Sequence, residues 1–154
     1  MQIWKANNNH IEEASKIFDL YRQFYGQESD IDAASDFLSE RFLKNDSEFF
    51  IAVDSDGLPL GFIQLYPSFS SVAMNAMWYL NDLFVLPNAR GKGIASGLLK
   101  YVEDFARNNA SFSLKLATAV NNEAAKALYE KNGYYKVTAF DHYVLRTDTV
   151  TQSN

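Results

Sequence analysis

The sequence predicts an α+β domain of three layers (α/β/α), with a mixed, mostly antiparallel central sheet of six or seven strands and about four helices. Three observations lead there. Segments with period-two apolar patterning and segments with helical spacing are interleaved along 154 residues. Two strand-like runs flank Asp54-Ser55-Asp56-Gly57, and an Asp-Gly turn between such runs marks an antiparallel hairpin. Strands then alternate with helices in the second half, which describes a mixed sheet covered on both faces.

The elements follow in order. Ile3 to Ala6 is a short first strand. Asn8 or Asn9 caps a helix to about Tyr25, with Ile11, Ala14, Ile17, Phe18, Tyr21 and Phe24 or Tyr25 on its apolar stripe, and Gly26 stops it. Asp30 caps a second helix, where Ala34, Phe37, Leu38, Arg41 and Phe42 recur at helical spacing. Glu48 to Val53 and Leu60 to Tyr66 form the hairpin. After a polar loop, Met77 to Leu86 is a third long strand, ended by Pro87. Ile94, Leu98, Tyr101, Val102 and Phe105 mark a long helix. Phe112 to Val120 is a strand, Glu123 to Lys131 a helix closed by Asn132-Gly133, and Tyr143-Val144-Leu145 a last strand. Residues 1–147 read as one domain and 148–154 as a flexible tail.

Composition narrows the function. A hydrophobic fraction of 47% and an aromatic fraction of 15% supply a core and argue against disorder. No apolar run approaches a membrane span, and Met1-Gln2-Ile3-Trp4-Lys5 lacks the layout of a signal peptide. The expectation is a soluble cytoplasmic protein without a membrane partner. The absence of cysteine removes disulfides, thiolate metal sites and cysteine nucleophiles. His10 and His142 are the only histidines and show no ligand spacing, so no metal is expected. A net charge of −5 disfavours nucleic acid as a partner.

The most informative stretch is Arg90-Gly91-Lys92-Gly93-Ile94-Ala95-Ser96. Gly91 and Gly93 let the backbone turn sharply and come close to a ligand. The helix that follows opens with unpaired amides and a positive dipole end, which make an anion site. Arg90 and Lys92 add two cations. The spacing fits neither the nucleotide P-loop nor the dinucleotide fingerprint. On its own, such a loop is equally a plain strand-to-helix connection.

The company it keeps is more specific. Arg90-Gly91-Lys92-Gly93-Ile94-Ala95 resembles the Arg/Gln-x-x-Gly-x-Gly/Ala element of the GCN5-related N-acetyltransferase superfamily. Asn122-Glu123-Ala124-Ala125-Lys126-Ala127-Leu128-Tyr129-Glu130-Lys131-Asn132-Gly133-Tyr134 is similar to that family's later Asn-x-x-Ala-x-x-Leu-Tyr-x-Lys-x-Gly-Phe/Tyr element. The resemblance spans Trp4 to Leu145. It implies an acetyl-coenzyme A-dependent N-acetyltransferase acting by direct attack in a ternary complex. It also implies cofactor contacts from Leu83, Phe84 and Val85, from Arg90, Gly91, Lys92, Gly93, Ile94, Ala95 and Ser96, and from Asn122, Ala125 and Tyr129. A free amide beside a strand irregularity near Leu83 to Val85 is the family's oxyanion donor. Its tyrosine at position 129 hydrogen-bonds and protonates the departing sulfur. Homodimers are frequent in the family.

Asn122, Ala125 and Tyr129 share one helix face by spacing alone. Tyr79-Leu80-Asn81-Asp82-Leu83-Phe84-Val85 resembles the strand of diamine and polyamine acetyltransferases, where Leu-Glu-Asp is common. Here Asn81 replaces the glutamate and cannot act as a base. Asp82 remains, to recognise an ammonium group, to relay a proton through water, or simply to sit salt-bridged in the sheet. Period two separates Asn81 and Asp82 unless a bulge intervenes. His142 is a second base candidate, although a lone strand histidine is usually structural. The resemblance assigns the acceptor side to Tyr21, Tyr25, Gly26, Gln27, Glu28, Ser29 and Asp30 and to Pro67 to Asn75, with Tyr25, Glu28, Asn81 and Asp82 as the contacts to a small primary amine. A peptide or protein N-terminus is the next acceptor. A non-catalytic coenzyme A-binding module and a different nucleotide enzyme are the competing classes.

Overall fold

The computed structural model describes residues 1–148. The elements are β1 (Gln2–Lys5), a 3-10 turn (Asn8–His10), α1 (Ile11–Phe24), α2 (Ile31–Lys44), β2 (Glu48–Val53), β3 (Pro59–Ser70), β4 (Asn75–Val85), a second 3-10 turn (Pro87–Ala89), α3 (Ile94–Asn108), β5 (Leu114–Lys115) and α4 (Glu123–Lys131). The strands lie in the order β1-β2-β3-β4-β5. The first three pairings are antiparallel and β4–β5 is parallel, so the sheet is mixed and mostly antiparallel.

Among the described residues, the expected six or seven strands are corrected to five. The run from Phe112 to Val120 yields only the two-residue β5, and Tyr143 to Leu145 pairs with nothing in the sheet. Strand propensity measures fitness for a pleated surface and does not by itself place a segment in a ladder. The tail expected at 148–154 lies, from residue 149 on, outside the described residues.

Local chemistry explains the helix limits. The first cap is Asn7 rather than Asn8 or Asn9. Its side chain accepts from the Asn9 amide at 2.8 Å, while His10 Nδ1 accepts from the Asn7 amide at 3.2 Å. Asp30 caps α2 through the Ala33 amide at 3.0 Å. Asp54 closes the β2–β3 turn by accepting from Asp56 and Leu58. The loop expected at Pro67 to Asn75 is mostly strand: the β3–β4 ladder runs on to Ser70 opposite Asn75.

Both faces of the sheet are covered, which is why Phe49 to Val53 reads as an unbroken apolar run. On one face Phe49, Ile51, Phe62 and Phe84 meet Ile17, Phe18 and Leu38 of α1 and α2. On the other, Phe50, Ile63, Leu65 and Leu80 meet Leu98, Leu99 and Val102 of α3. Among the described residues no helix is long and apolar enough to cross a membrane.

Candidate active site

The site begins with a bulge. Gln64 pairs with Asp82, yet the next residue, Leu65, pairs with Leu80, so Asn81 has no partner of its own on β3. An extra residue in one strand shifts the alternation of side chains by one. Leu80 accordingly faces α3, whereas Asp82 and Phe84 face α1. Asn81 is exposed and its amide donates to Asp82 Oδ1 at 2.9 Å. The irregularity expected near Leu83 to Val85 thus lies a little earlier, at Asn81. Leu83, Phe84 and Val85 keep a regular ladder with Ile63, Phe62 and Gly61.

Asp82 is buried. Gln64 Nε2 donates to its Oδ2 at 2.9 Å, and the Tyr21 phenol of α1 faces the same carboxylate. Burial, and next the charge of Asp82, push the Tyr21 phenol far above its ordinary value. Tyr66 rises to about 12, by burial and then by Asp82. The side chains that hydrogen-bond Asp82, namely Gln64, Asn81 and Tyr21, are all neutral. Gln64 Oε1 is buried and accepts no hydrogen bond from the described residues.

Three tyrosines converge here. Tyr21 packs edge-on against Tyr25, with ring centroids 5.0 Å apart, and both Tyr25 and Tyr129 act electrostatically on the Tyr21 phenol. Tyr129 comes from α4, on the far side of the cleft. Burial, and then Tyr25, raise it to about 12.

The cleft opens because β4 and β5 part. They pair only at Trp78–Leu114 and Tyr79–Lys115, so from Leu80 onward β4 is bonded to β3 alone. The glycine loop lies beyond the end of β4. Gly91 and Gly93 hold φ of 74° and 80°, and nothing lies within 4 Å of where a side chain on either would begin. The amides of Ile94, Ala95 and Ser96 open α3 with no acceptor inside the helix. The loop mouth is therefore an open cradle of amides. Lys92 is exposed beside it. Arg90 turns back instead: its Nε donates to the Val85 carbonyl at 2.9 Å and its guanidinium lies over Phe24 and Phe84 at 5.2 and 5.7 Å.

On α4, Asn122 is the N-cap and accepts from the Ala125 amide at 3.1 Å. Asn122, Ala125 and Tyr129 form the half-buried face of the helix. Asn132 Nδ2 donates to Ser96 Oγ at 3.3 Å, joining the end of α4 to the start of α3. Tyr25 is exposed at the end of α1, and Glu28 is exposed in the α1–α2 loop. His142 is exposed on the segment after α4, and His10 belongs to the first helix cap. Among the described residues no cluster of three or more His, Cys, Asp or Glu exists to hold a metal.

Two contributors escape a reading of the sequence. Gln64 sits fully buried between Ile63 and Leu65; a lone amide in an apolar strand was its only signal. Asp19, buried on α1, accepts from the Asp30 amide at 2.7 Å, Ser29 Oγ at 2.7 Å and Gln23 Nε2 at 3.0 Å. It fixes the loop that carries Glu28.

Comparison with known proteins bears on the family and the fold. The pattern of the Acetyltransferase (GNAT) family matches residues 14–134. The chain is 43% identical over 145 residues to the uncharacterized N-acetyltransferase YhfO of Bacillus subtilis, covering 94% of this chain and 97% of that protein. It is 36% identical over 121 residues to a probable acetyltransferase of Haemophilus influenzae, covering 79% and 83%. A crystal structure described as a probable acetyltransferase superposes with a TM-score of 0.91 at 34% identity, covering 96% of this chain and 99% of that one.

Proposed function

This chain belongs to the acetyltransferase (GNAT) family, and on that footing we propose that it moves the acetyl group of acetyl-coenzyme A to a primary amine held beside Asp82. The acceptor class is a small amine, polyamine or amino-acid-like compound. One observation carries the reading: a buried carboxylate whose hydrogen-bond partners among the described residues are neutral lies near the cleft that holds the Tyr129 phenol. A buried charge without a counter-charge is costly. The ammonium form of an amine supplies that counter-charge.

The cradle fits an anionic cofactor. Bound acetyl-coenzyme A supplies an activated acetyl group as a thioester, together with a pyrophosphate to anchor it. The amides at Ile94, Ala95 and Ser96 bind the pyrophosphate, and the bare backbone at Gly91 and Gly93 lets it approach. Lys92 adds charge from solvent. Arg90 acts by pinning the loop to Val85 and Phe84. Asn122, with its carbonyl used in the cap, keeps its amide hydrogens for the pantetheine arm, and Ala125 keeps that face of α4 low. Leu83, Phe84 and Val85, along the open edge of β4, line the acyl end.

Asp82 orients the amine. An alkylammonium near pKa 10 is about one part in a thousand neutral at pH 7, a cost of about 4 kcal/mol. An alkylammonium holds its proton far more tightly than a carboxylic acid does, so Asp82 positions the nitrogen while the proton leaves through water. Tyr129 donates a hydrogen bond where the sulfur leaves.

Thiol release measured across diamines, polyamines, amino-acid amides and short peptides tests this. Release that depends on a cationic primary amine is expected. Binding of coenzyme A with no amine-dependent release on any member overturns the assignment.

A further inference from the structure

A wall of aromatic rings runs from the buried carboxylate out to solvent. Tyr21, which faces Asp82, meets Phe62 and Phe84 edge-on with centroids 5.4 and 5.9 Å apart. Phe24 lies 5.9 Å from Phe84 and 5.3 Å from Tyr25. Phe62 and Phe84 are buried, but Phe24 and Tyr25, where α1 ends, are 57% and 61% exposed. A single exposed ring is ordinary. Here two adjoining ones continue a buried cluster that reaches the site.

Charge is sparse along this wall, and its order is fixed. Asp82 holds the inner end. It is the one carboxylate that acts on the Tyr21 phenol, while Tyr129, across the cleft, responds to Tyr25 and to no carboxylate. Other carboxylates of this side are engaged elsewhere. Asp19 accepts from Asp30, Ser29 and Gln23, Asp30 accepts from the Ala33 amide, and Asp46 pairs with Arg41 at 3.1 Å. Glu28 is exposed, and an ion pair in water contributes little. The outer end is positive instead: the Arg90 guanidinium lies over Phe24 and Phe84 and its Nε donates to the Val85 carbonyl. A cation there takes ring faces that could hold a second ammonium, and it repels one that approaches.

Resting on the amine-transfer reading above, we propose that the acceptor is a monoamine with a flat apolar body, an arylalkylamine, and not a diamine or polyamine. Its ammonium pairs with Asp82, and its ring lies along Tyr21 and against the exposed rings of Phe24 and Tyr25, where aromatic contact adds to the burial of apolar area. One anion at the amine end matches one positive charge on the ligand. A second ammonium would leave water for a place with no anion and with Arg90 beside it, which is costly.

Steady-state thiol release from acetyl-coenzyme A by the full chain tests this with 2-phenylethylamine, pentylamine, 1,5-diaminopentane and phenylalanine. The value of kcat/KM is expected to be about tenfold higher for 2-phenylethylamine than for pentylamine, with 1,5-diaminopentane below both. A diamine that outperforms its monoamine counterpart overturns the inference. Phenylalanine preferred over 2-phenylethylamine overturns it too, since Arg90 would then be receiving an acid group. Release confined to polyamines or peptides sinks this inference and leaves the transfer reading standing, whereas no release with any amine sinks both. Tyr25→Ala removes an exposed ring and should cut the preference for 2-phenylethylamine over pentylamine about fivefold or more, while Tyr25→Phe keeps the ring and the preference. A preference unchanged in Tyr25→Ala overturns the proposal. Should that variant fail to fold, the acceptor series on the unaltered protein decides alone.

Discussion

Tyr129 holds its proton more tightly than a phenol in water, because burial and the nearby Tyr25 disfavour the phenolate and raise it to about 12. Passing that proton outright to a thiolate near pKa 8.5 is uphill by about 5 kcal/mol. A hydrogen bond to the developing negative charge needs no such transfer, and it strengthens as the charge grows. Tyr129→Phe should therefore lower kcat by about 100-fold or more, while KM for acetyl-coenzyme A changes only a few-fold. Steady-state thiol release gives both numbers. A kcat within twofold of the unaltered protein removes Tyr129 from the mechanism.

At the scale of elements, the acceptor side depends on how α1 is tied to α2. Asp19 does this with three hydrogen bonds. Burial alone raises its carboxyl pKa, but the Asp30 amide, Ser29, Gln23 and the charge of Arg22 outweigh burial and leave it below the ordinary value. A depressed carboxyl stabilises the fold above the unfolded-state pKa, near 4, and that contribution is lost as pH falls through the folded-state value. Asp19→Ala is expected to cost about 2–3 kcal/mol at neutral pH, since donors to a charged acceptor are left unpaired. Urea unfolding at pH 7 and pH 3 measures it. An unchanged midpoint at pH 7 contradicts this role. The same elements show what a sequence displays and what it withholds. Asp30, Gly91 and Gly93 announce a cap and turns because each acts on backbone within a few residues. Spaced motifs single out Tyr129 and Asp82 as candidates. The position of the bulge was not legible: Leu80, Asp82 and Phe84 alternate as if on one face, and only the pairing with β3 shows that Leu80 is on the other. Gln64 and Asp19 act across 18 and 11 residues of chain, beyond any local pattern. The strand count failed for a similar reason, since a segment's fitness for a sheet does not reveal which partner it pairs with.

Across the whole molecule, phenols are buried on both sides of the sheet. Tyr66, Tyr129 and Tyr134 are each raised to about 12 by burial first, and Tyr21 is raised further. The folded state thus holds these protons more tightly than the unfolded chain, whose phenols titrate near 10. The resulting stability is complete below about pH 10 and is lost as pH rises through about 12. Thermal melts should keep a constant midpoint to about pH 9 and fall steeply by about pH 11, together with tyrosinate absorbance. An unchanged midpoint at pH 11 refutes that coupling. The bulge has its own consequence at this scale. Leu80 and Asp82 lie on opposite faces, as adjacent residues of a regular strand do, so Asn81 is a residue that the ladder does not count. A regular ladder and a bulged one differ here by a single codon. A gene lineage gains or sheds this feature in one insertion or deletion, with every core side chain staying on its own side.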